Sequence, residues 1–138
     1  MKILGIDYGD VRVGLAVSDV TEFLASGIGN VKIKGMNDAL QQVLEKIKET
    51  GCEKIVLGLP LNMNGSAGEK AEKVRVFASK LEEASGLEVV LVDERRTTIM
   101  AHNFMNSTGT SGKKRKESVD TLSAQIILQT YLDMKRGQ

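Results

Sequence analysis

Hydrophobic residues follow two rhythms along this chain. Near the start they form short, nearly unbroken runs, and further on they recur every three to four positions. Lys2 to Asp7 is an apolar run that ends on a carboxylate, Tyr8-Gly9-Asp10 turns the chain, and Val13 to Val17 runs back. Gly27 to Ile33 reads as a third strand, and the short Gly9-to-Arg12 connection predicts an antiparallel meander. The period then changes. Ala39, Leu40, Val43, Leu44 and Ile47 fall on one helical stripe, with Asn37 as the expected N-cap and Gly51 as the stop.

Lys54 to Gly58 is too short for a helix and nearly all apolar, which predicts a buried strand ended by Leu59-Pro60. Asn62 to Gly68 reads as a polar loop, and Ser66 with Glu69 has the spacing of a capping box. Ala71, Val74, Ala78 and Leu81 keep the helical period until Gly86. Leu87 to Val92 predicts another buried strand, running into Asp93-Glu94-Arg95-Arg96. A shorter helix is expected over Thr98 to Met105, a flexible basic loop over Ser107 to Lys116, and a final amphipathic helix from Ser118 to Lys135.

The order is βββαβαβαα. Strands joined through helices must lie parallel, with helices covering the sheet faces. This predicts an α/β, ribonuclease H-like fold: a mixed five-stranded sheet of order 3-2-1-4-5 flanked by helices. The 138 residues are expected to form one domain, 1–138, since no repeat or linker interrupts the pattern.

Composition narrows the compartment and chemistry. No apolar run reaches the roughly 18 residues of a membrane span, and the N-terminus enters a strand without the flanks of a secretory leader, so a cytoplasmic protein is expected. Cys52 is the only cysteine, which excludes an internal disulfide framework and a Cys-rich zinc site. The net charge of +1 is uninformative, but Lys113-Lys114-Arg115-Lys116 concentrates positive charge in one block.

Candidate chemistry lies in three acids. Strands 1, 4 and 5 run parallel in the expected sheet, so Asp7 and Glu94, at the ends of strands 1 and 5, face one crevice. Asp120 heads the stripe Ala124, Ile127, Tyr131 and is expected in the first turn of the last helix, delivered beside Asp7. Three converging carboxylates repel one another unless a cation joins them, and hard oxygen ligands favour magnesium or manganese. Two such ions about 3.5–4 Å apart support phosphodiester hydrolysis. Each acid also has a plainer role: an Asx-turn for Asp7, a solvated ion pair for Glu94, a complement to the helix dipole for Asp120.

Four stretches carry a family resemblance: GIDYGDVRVGLAVSD (5–19), IVLGLPLNMNG (55–65), VDER (92–95) and KESVDTLSAQIIL (116–128). In this order they resemble the YqgF/RuvX family, pre-16S rRNA nucleases related to Holliday-junction resolvases. The resemblance implies that Asp7, Glu94 and Asp120 are both the metal ligands and the catalytic acids. It implies an rRNA precursor, and with it ribosomal particles, as partner. Two departures, Arg96-Thr97-Thr98 in place of Leu-Ser-Thr and Ser123-Ala124 in place of paired alanines, leave the acids intact.

The expected substrate contacts follow from charge and turn chemistry. Arg12 sits near Asp7 at the entry to strand 2, and Arg95 follows Glu94, where it either meets the scissile phosphate or pairs with a neighbouring acid. Asn64 and Gly65 precede a helix N-terminus, where free N–H groups favour anions. Lys113, Lys114, Arg115 and Lys116 are expected to clamp structured nucleic acid through its backbone. His102 reads as a surface histidine. With few aromatics, base stacking is a minor part of recognition.

The leading expectation is a metal-dependent nuclease, monomeric or weakly dimeric, processing the 5′ end of pre-16S rRNA. Its rivals are a junction resolvase acting on DNA, which requires a two-fold dimer, and a non-catalytic RNA- or ribosome-binding factor. A phosphotransferase of the actin/hexokinase type shares the Asp7-x-Gly9 hairpin, followed by Gly14, but needs two such domains closing on ATP.

Overall fold

The structure, a computed structural model, describes residues 1–62, 64–94 and 112–137; over 112–120 the backbone alone is described. Three antiparallel strands open it: β1 (Ile3–Tyr8), β2 (Arg12–Ser18) and β3 (Ala25–Lys32). Helix α1 (Met36–Thr50), strand β4 (Lys54–Leu59), helix α2 (Glu69–Ser85), strand β5 (Val89–Asp93) and helix α3 (Gly112–Arg136) follow. The sheet has the expected order β3-β2-β1-β4-β5, with β1, β4 and β5 mutually parallel.

Alternation along β1 sorts the core into two layers. Leu4, Ile6 and Tyr8 point into a cluster with Ala39, Val43, Ala71, Val74, Phe77 and Leu81, under α1 and α2. Ile3 points the other way, into a cluster with Val56, Val92, Ala124, Ile127, Leu128 and Leu132, under α3. Gly5 shares that second face. A Cβ there would lie 2.6 Å from Leu128 Cβ and 3.1 Å from the Ala124 carbonyl oxygen, so only glycine lets α3 come this close. β3 begins at Ala25, two residues earlier than its pattern suggests, and carries a register shift opposite Leu15/Ala16, where Gly29 has φ +110°.

Three local expectations are corrected. The N-cap of α1 is Gly35, not Asn37; the Asp38 carboxylate instead accepts a 2.8 Å hydrogen bond from Lys34 N–H. The capping box of Ser66 and Glu69 does not form, because α2 starts from Gly68 without a side-chain cap. Asn64 Oδ1 accepts from both Ser66 N–H (3.0 Å) and Ser66 O–H (2.7 Å), so the serine is committed to an Asx-turn. Finally, α3 begins at Gly112. Lys113 to Lys116 therefore lie on its first turns, where a basic loop was expected, and Asp120 lies in its third turn, not its first. Good helix formers (KKRKE) prevail over the loop signal of the preceding Ser-Thr-Gly run. The helix expected over Thr98 to Met105 lies outside the described residues.

Candidate active site

Asp7 is the penultimate residue of β1 and lies directly opposite Gly14 of β2, which in turn lies opposite Asn30 of β3. On its other side β1 runs parallel to β4 up to the pair Ile6 and Leu57, and β4 to β5 up to Leu59 and Asp93. The next residue, Glu94, stays attached to the sheet: its N–H donates to the Leu59 carbonyl at 3.2 Å. One row thus crosses the carboxyl ends of the parallel strands, from Asn30 through Gly14, Asp7 and Gly58 towards Glu94.

The row closes because Gly58 has no side chain. A Cβ there would lie 2.5 Å from Glu94 Oε2 and 2.5 Å from Ile127 Cδ1. The Glu94 side chain fills that space, only 6% exposed, and hydrogen-bonds to Asp7. Burial is the main force raising the Glu94 carboxyl pKa, to about 8, followed by the charge of Asp7. One proton shared by two carboxylates relieves their repulsion. A divalent cation bound by the same oxygens relieves it more fully.

Positive charge reaches the pair from α2. Lys70, in the first turn of that helix, opposes the rise in the Glu94 pKa. One turn on, Lys73 lies 3.8 Å from Asp10 in the β1–β2 turn, and one further turn on Phe77 stacks on Tyr8 with ring centroids 4.4 Å apart. The 70–73–77 face of α2 therefore lies along the end of β1. Gly9, in the intervening turn, is required by close approach rather than by a positive φ: a Cβ would meet the Arg12 carbonyl oxygen at 2.7 Å. That carbonyl accepts the Gly9 N–H at 3.0 Å, which places Arg12, partly buried, at the mouth of the hairpin.

The third acid arrives on α3. Thr121 Oγ1 accepts a 3.4 Å hydrogen bond from Asn30 Nδ2, so α3 meets the sheet at the Asp7 row just where Asp120 precedes Thr121 in the helix. The Asp120 side chain lies outside the described residues, as do Arg95 and the side chains of Lys113, Lys114, Arg115 and Lys116. Asn64 and Gly65 are exposed in the β4–α2 loop, with Gly65 at φ +87°.

The structure therefore joins Asp7 to Glu94 directly and brings the backbone before Thr121 to the same sheet end. Three residues at this edge escaped the reading of the sequence. Gly58 had a signal, a glycine closing an apolar strand, which marks close approach. Asn30 had a weaker one, a polar residue inside a strand. Lys70 had none, because nothing in its neighbourhood of charges distinguishes it.

Comparison with known proteins points the same way. A family model described as "RuvX: Holliday junction resolvase" matches residues 1–134. Among curated relatives, a protein of Caldanaerobacter subterraneus subsp. tengcongensis is 43% identical over 138 residues, covering 99% of both chains. One of Ruminiclostridium cellulolyticum is 42% identical over 138 residues, covering 99% of this chain and 97% of its own. Both are named "Putative pre-16S rRNA nuclease". Among solved structures, T. thermophilus RuvC in complex with Holliday junction substrate superposes with a TM-score of 0.64 at 17% identity, over 100% of this chain and 97% of its own. At that identity the likeness establishes the fold alone, an RNase H-like one.

Proposed function

The chain belongs to the RuvX family, and we propose that it is a metal-dependent nuclease that trims the 5′ end of a pre-16S rRNA. The observation that carries this reading is the hydrogen-bonded pair of the half-buried Asp7 and the buried Glu94 at the carboxyl edge of the parallel strands. Structural acids are ordinarily paired with bases, whereas two acids sharing a proton at a sheet edge form a ready cation site. The names of the curated relatives support rRNA as substrate, and that substrate implies action in the cytoplasm, on ribosomal particles. Among the described residues no helix is long and apolar enough to cross a membrane.

The donor set fits magnesium or manganese: hard carboxylate oxygens, partly dehydrated, with no thiolate or imidazole among the proposed ligands. Asp7, Glu94 and Asp120 would hold the ion. When bound it would lower the pKa of a coordinated water and polarise the phosphodiester. The protein's own contribution is positioning and proton control. Asp7 is fixed by the β1–β2 pairing, and Glu94 is wedged over Gly58 with its backbone tied to Leu59. Glu94, whose carboxyl holds its proton up to about pH 8 in the absence of a cation, must release it for the site to take its ligand-binding form. Arg12 and Lys70 balance the charge of an approaching phosphate, and Arg95, Asn64, Gly65 and Lys113 to Lys116 extend the track for the nucleic-acid backbone. Hydrolysis then breaks the bond from phosphorus to the leaving ribose oxygen, with water supplying the new P–O bond.

Asp7→Asn tests the reading. It should abolish manganese-dependent cleavage of an RNA carrying precursor 16S ends while retaining binding. A four-way DNA junction run alongside tests the second reading, a resolvase, which the whole-length likeness to RuvC supports. Cleavage of the junction alone, by a stable dimer, would replace the rRNA reading. Wild-type protein that binds RNA but cuts neither substrate would leave a non-catalytic binding factor.

A further inference from the structure

The proposed site needs three acids from separate elements, and Asp120 rides on a helix whose position along its own axis must be fixed. Packing fixes it only in part. Leu128 and Ala124 approach Gly5 and Ile127 approaches Gly58, but the apolar stripe Ala124, Leu128, Leu132 repeats every four residues and leaves part of the axial position to directional contacts. Three such contacts, from Thr121, Gln125 and Gln129, lie on the side of α3 that faces β3 and the residues just before it.

Gln129 accepts from Ala25 N–H at 2.8 Å and donates to the Phe23 carbonyl at 3.1 Å. Gln125, one turn earlier, donates to the Ala25 carbonyl at 3.2 Å. Thr121, one turn earlier still, accepts from Asn30 at 3.4 Å, and its methyl sits in a notch where a Cβ on Gly27 would lie 2.7 Å away. The spacing 121, 125, 129 tracks one face of the helix, and the bonds end on Phe23, Ala25 and Asn30, in β3 and just before it. These amides also satisfy polar groups on an edge that no further strand covers among the described residues.

We propose that Thr121, Gln125 and Gln129 are positioning residues: their ladder of hydrogen bonds to β3 and to Phe23 just before it sets the axial register of α3 and so brings Asp120 level with Asp7. Asn30 makes the link explicit, because it is bonded to the residue after Asp120 and lies two strands from Asp7 in the same row. The inference rests on the reading of Asp120 as a ligand for its catalytic consequence, but not for its structural one.

The test separates the two. Gln125→Met with Gln129→Met keeps shape and removes the bonds. Spin labels at Ile28→Cys on β3 and Met134→Cys on α3, both exposed (39% and 58%), report the axial offset by double electron–electron resonance in a Cys52→Ser background. The double variant should shift or broaden the label distance by up to one helical turn. It should also lower kcat for nucleic-acid cleavage by about a hundredfold or more with KM little changed, since a misplacement of even about 1 Å can cost that much. Thr121→Ser should keep kcat and Thr121→Val should lose part of it. An unchanged label distance overturns the proposal. A shifted distance with unchanged kcat overturns the role of the ladder in placing Asp120. If labels shift but no form of the protein, wild type included, cuts nucleic acid, the register role stands and the nuclease reading fails.

Discussion

Replacing Glu94 by glutamine should make the metal-free protein more stable at alkaline pH while destroying its metal response. Glu94 is 6% exposed, and burial followed by the charge of Asp7 raises its carboxyl pKa from 4.5 to about 8. The folded state therefore holds this proton more tightly than the unfolded chain does. Its contribution to stability is complete below pH 4.5 and is lost as the pH rises towards 8. At about 1.4 kcal/mol per pKa unit the whole loss has a ceiling of about 5 kcal/mol, a large share of the stability of a small domain. The substituted glutamine keeps the shape over Gly58, offers Asp7 an N–H donor and has no proton to lose. Urea unfolding followed by circular dichroism in EDTA, in steps from about pH 5 to about pH 8.5 at fixed ionic strength, measures both proteins across the window in which this proton is lost. Titrations common to the two proteins cancel in the difference between the two curves. Wild-type stability should fall over this range relative to that of the variant by an amount approaching the ceiling. Millimolar manganese at alkaline pH should then restore the wild type and leave the variant unmoved. Parallel stability curves for the two proteins in EDTA would refute the reasoning, since the buried Glu94 would then carry no ionisation cost.

Gly58→Ala forces a Cβ to within 2.5 Å of both Glu94 Oε2 and Ile127 Cδ1; thermal unfolding should show a loss of about 1–3 kcal/mol, with cleavage reduced more than binding. Lys70→Ala removes the charge that opposes the rise in the Glu94 pKa, so the alkaline loss of metal-free stability should extend to higher pH. The same urea series checks this, and a shift to lower pH would contradict the assignment. Neutralising Lys113, Lys114, Arg115 and Lys116 together should flatten the salt dependence of nucleic-acid binding, by roughly 0.7–0.9 in log–log slope for each phosphate left without its cation. Fluorescence anisotropy at several salt concentrations gives that slope directly, and an unchanged slope removes the block from the interface.

Much of the framework was legible because it depends on local pattern. Short apolar runs, each ended by glycine or a polar turn, marked all five strands, and the 3.6-residue stripes marked all three described helices. The misjudged details were those in which two local options have nearly equal energy. Ser66 suits a capping box or an Asx-turn, and Asn64, two residues earlier, decided for the turn. Asn37 suits an N-cap, but Gly35 took the position and Asp38 met the chain from inside the helix. The start of α3 lies at Gly112 rather than Ser118, because a glycine- and serine-rich run masks the helix-forming residues that follow it.

By itself the sequence determined which residues were available for chemistry and at which strand ends they stand, since strand periodicity and βαβ connectivity leave Asp7 and Glu94 on one sheet edge. Only the tertiary structure decided that they touch. Their contact depends on an empty position at Gly58, on the hydrogen bond from Glu94 N–H to Leu59, and on Lys70 reaching the site from another layer. None of these has a sequence period. Each arises where two elements distant in sequence approach more closely than ordinary side chains allow, and that closeness turns two ordinary carboxylates into a hydrogen-bonded pair in which the buried member, Glu94, holds its proton.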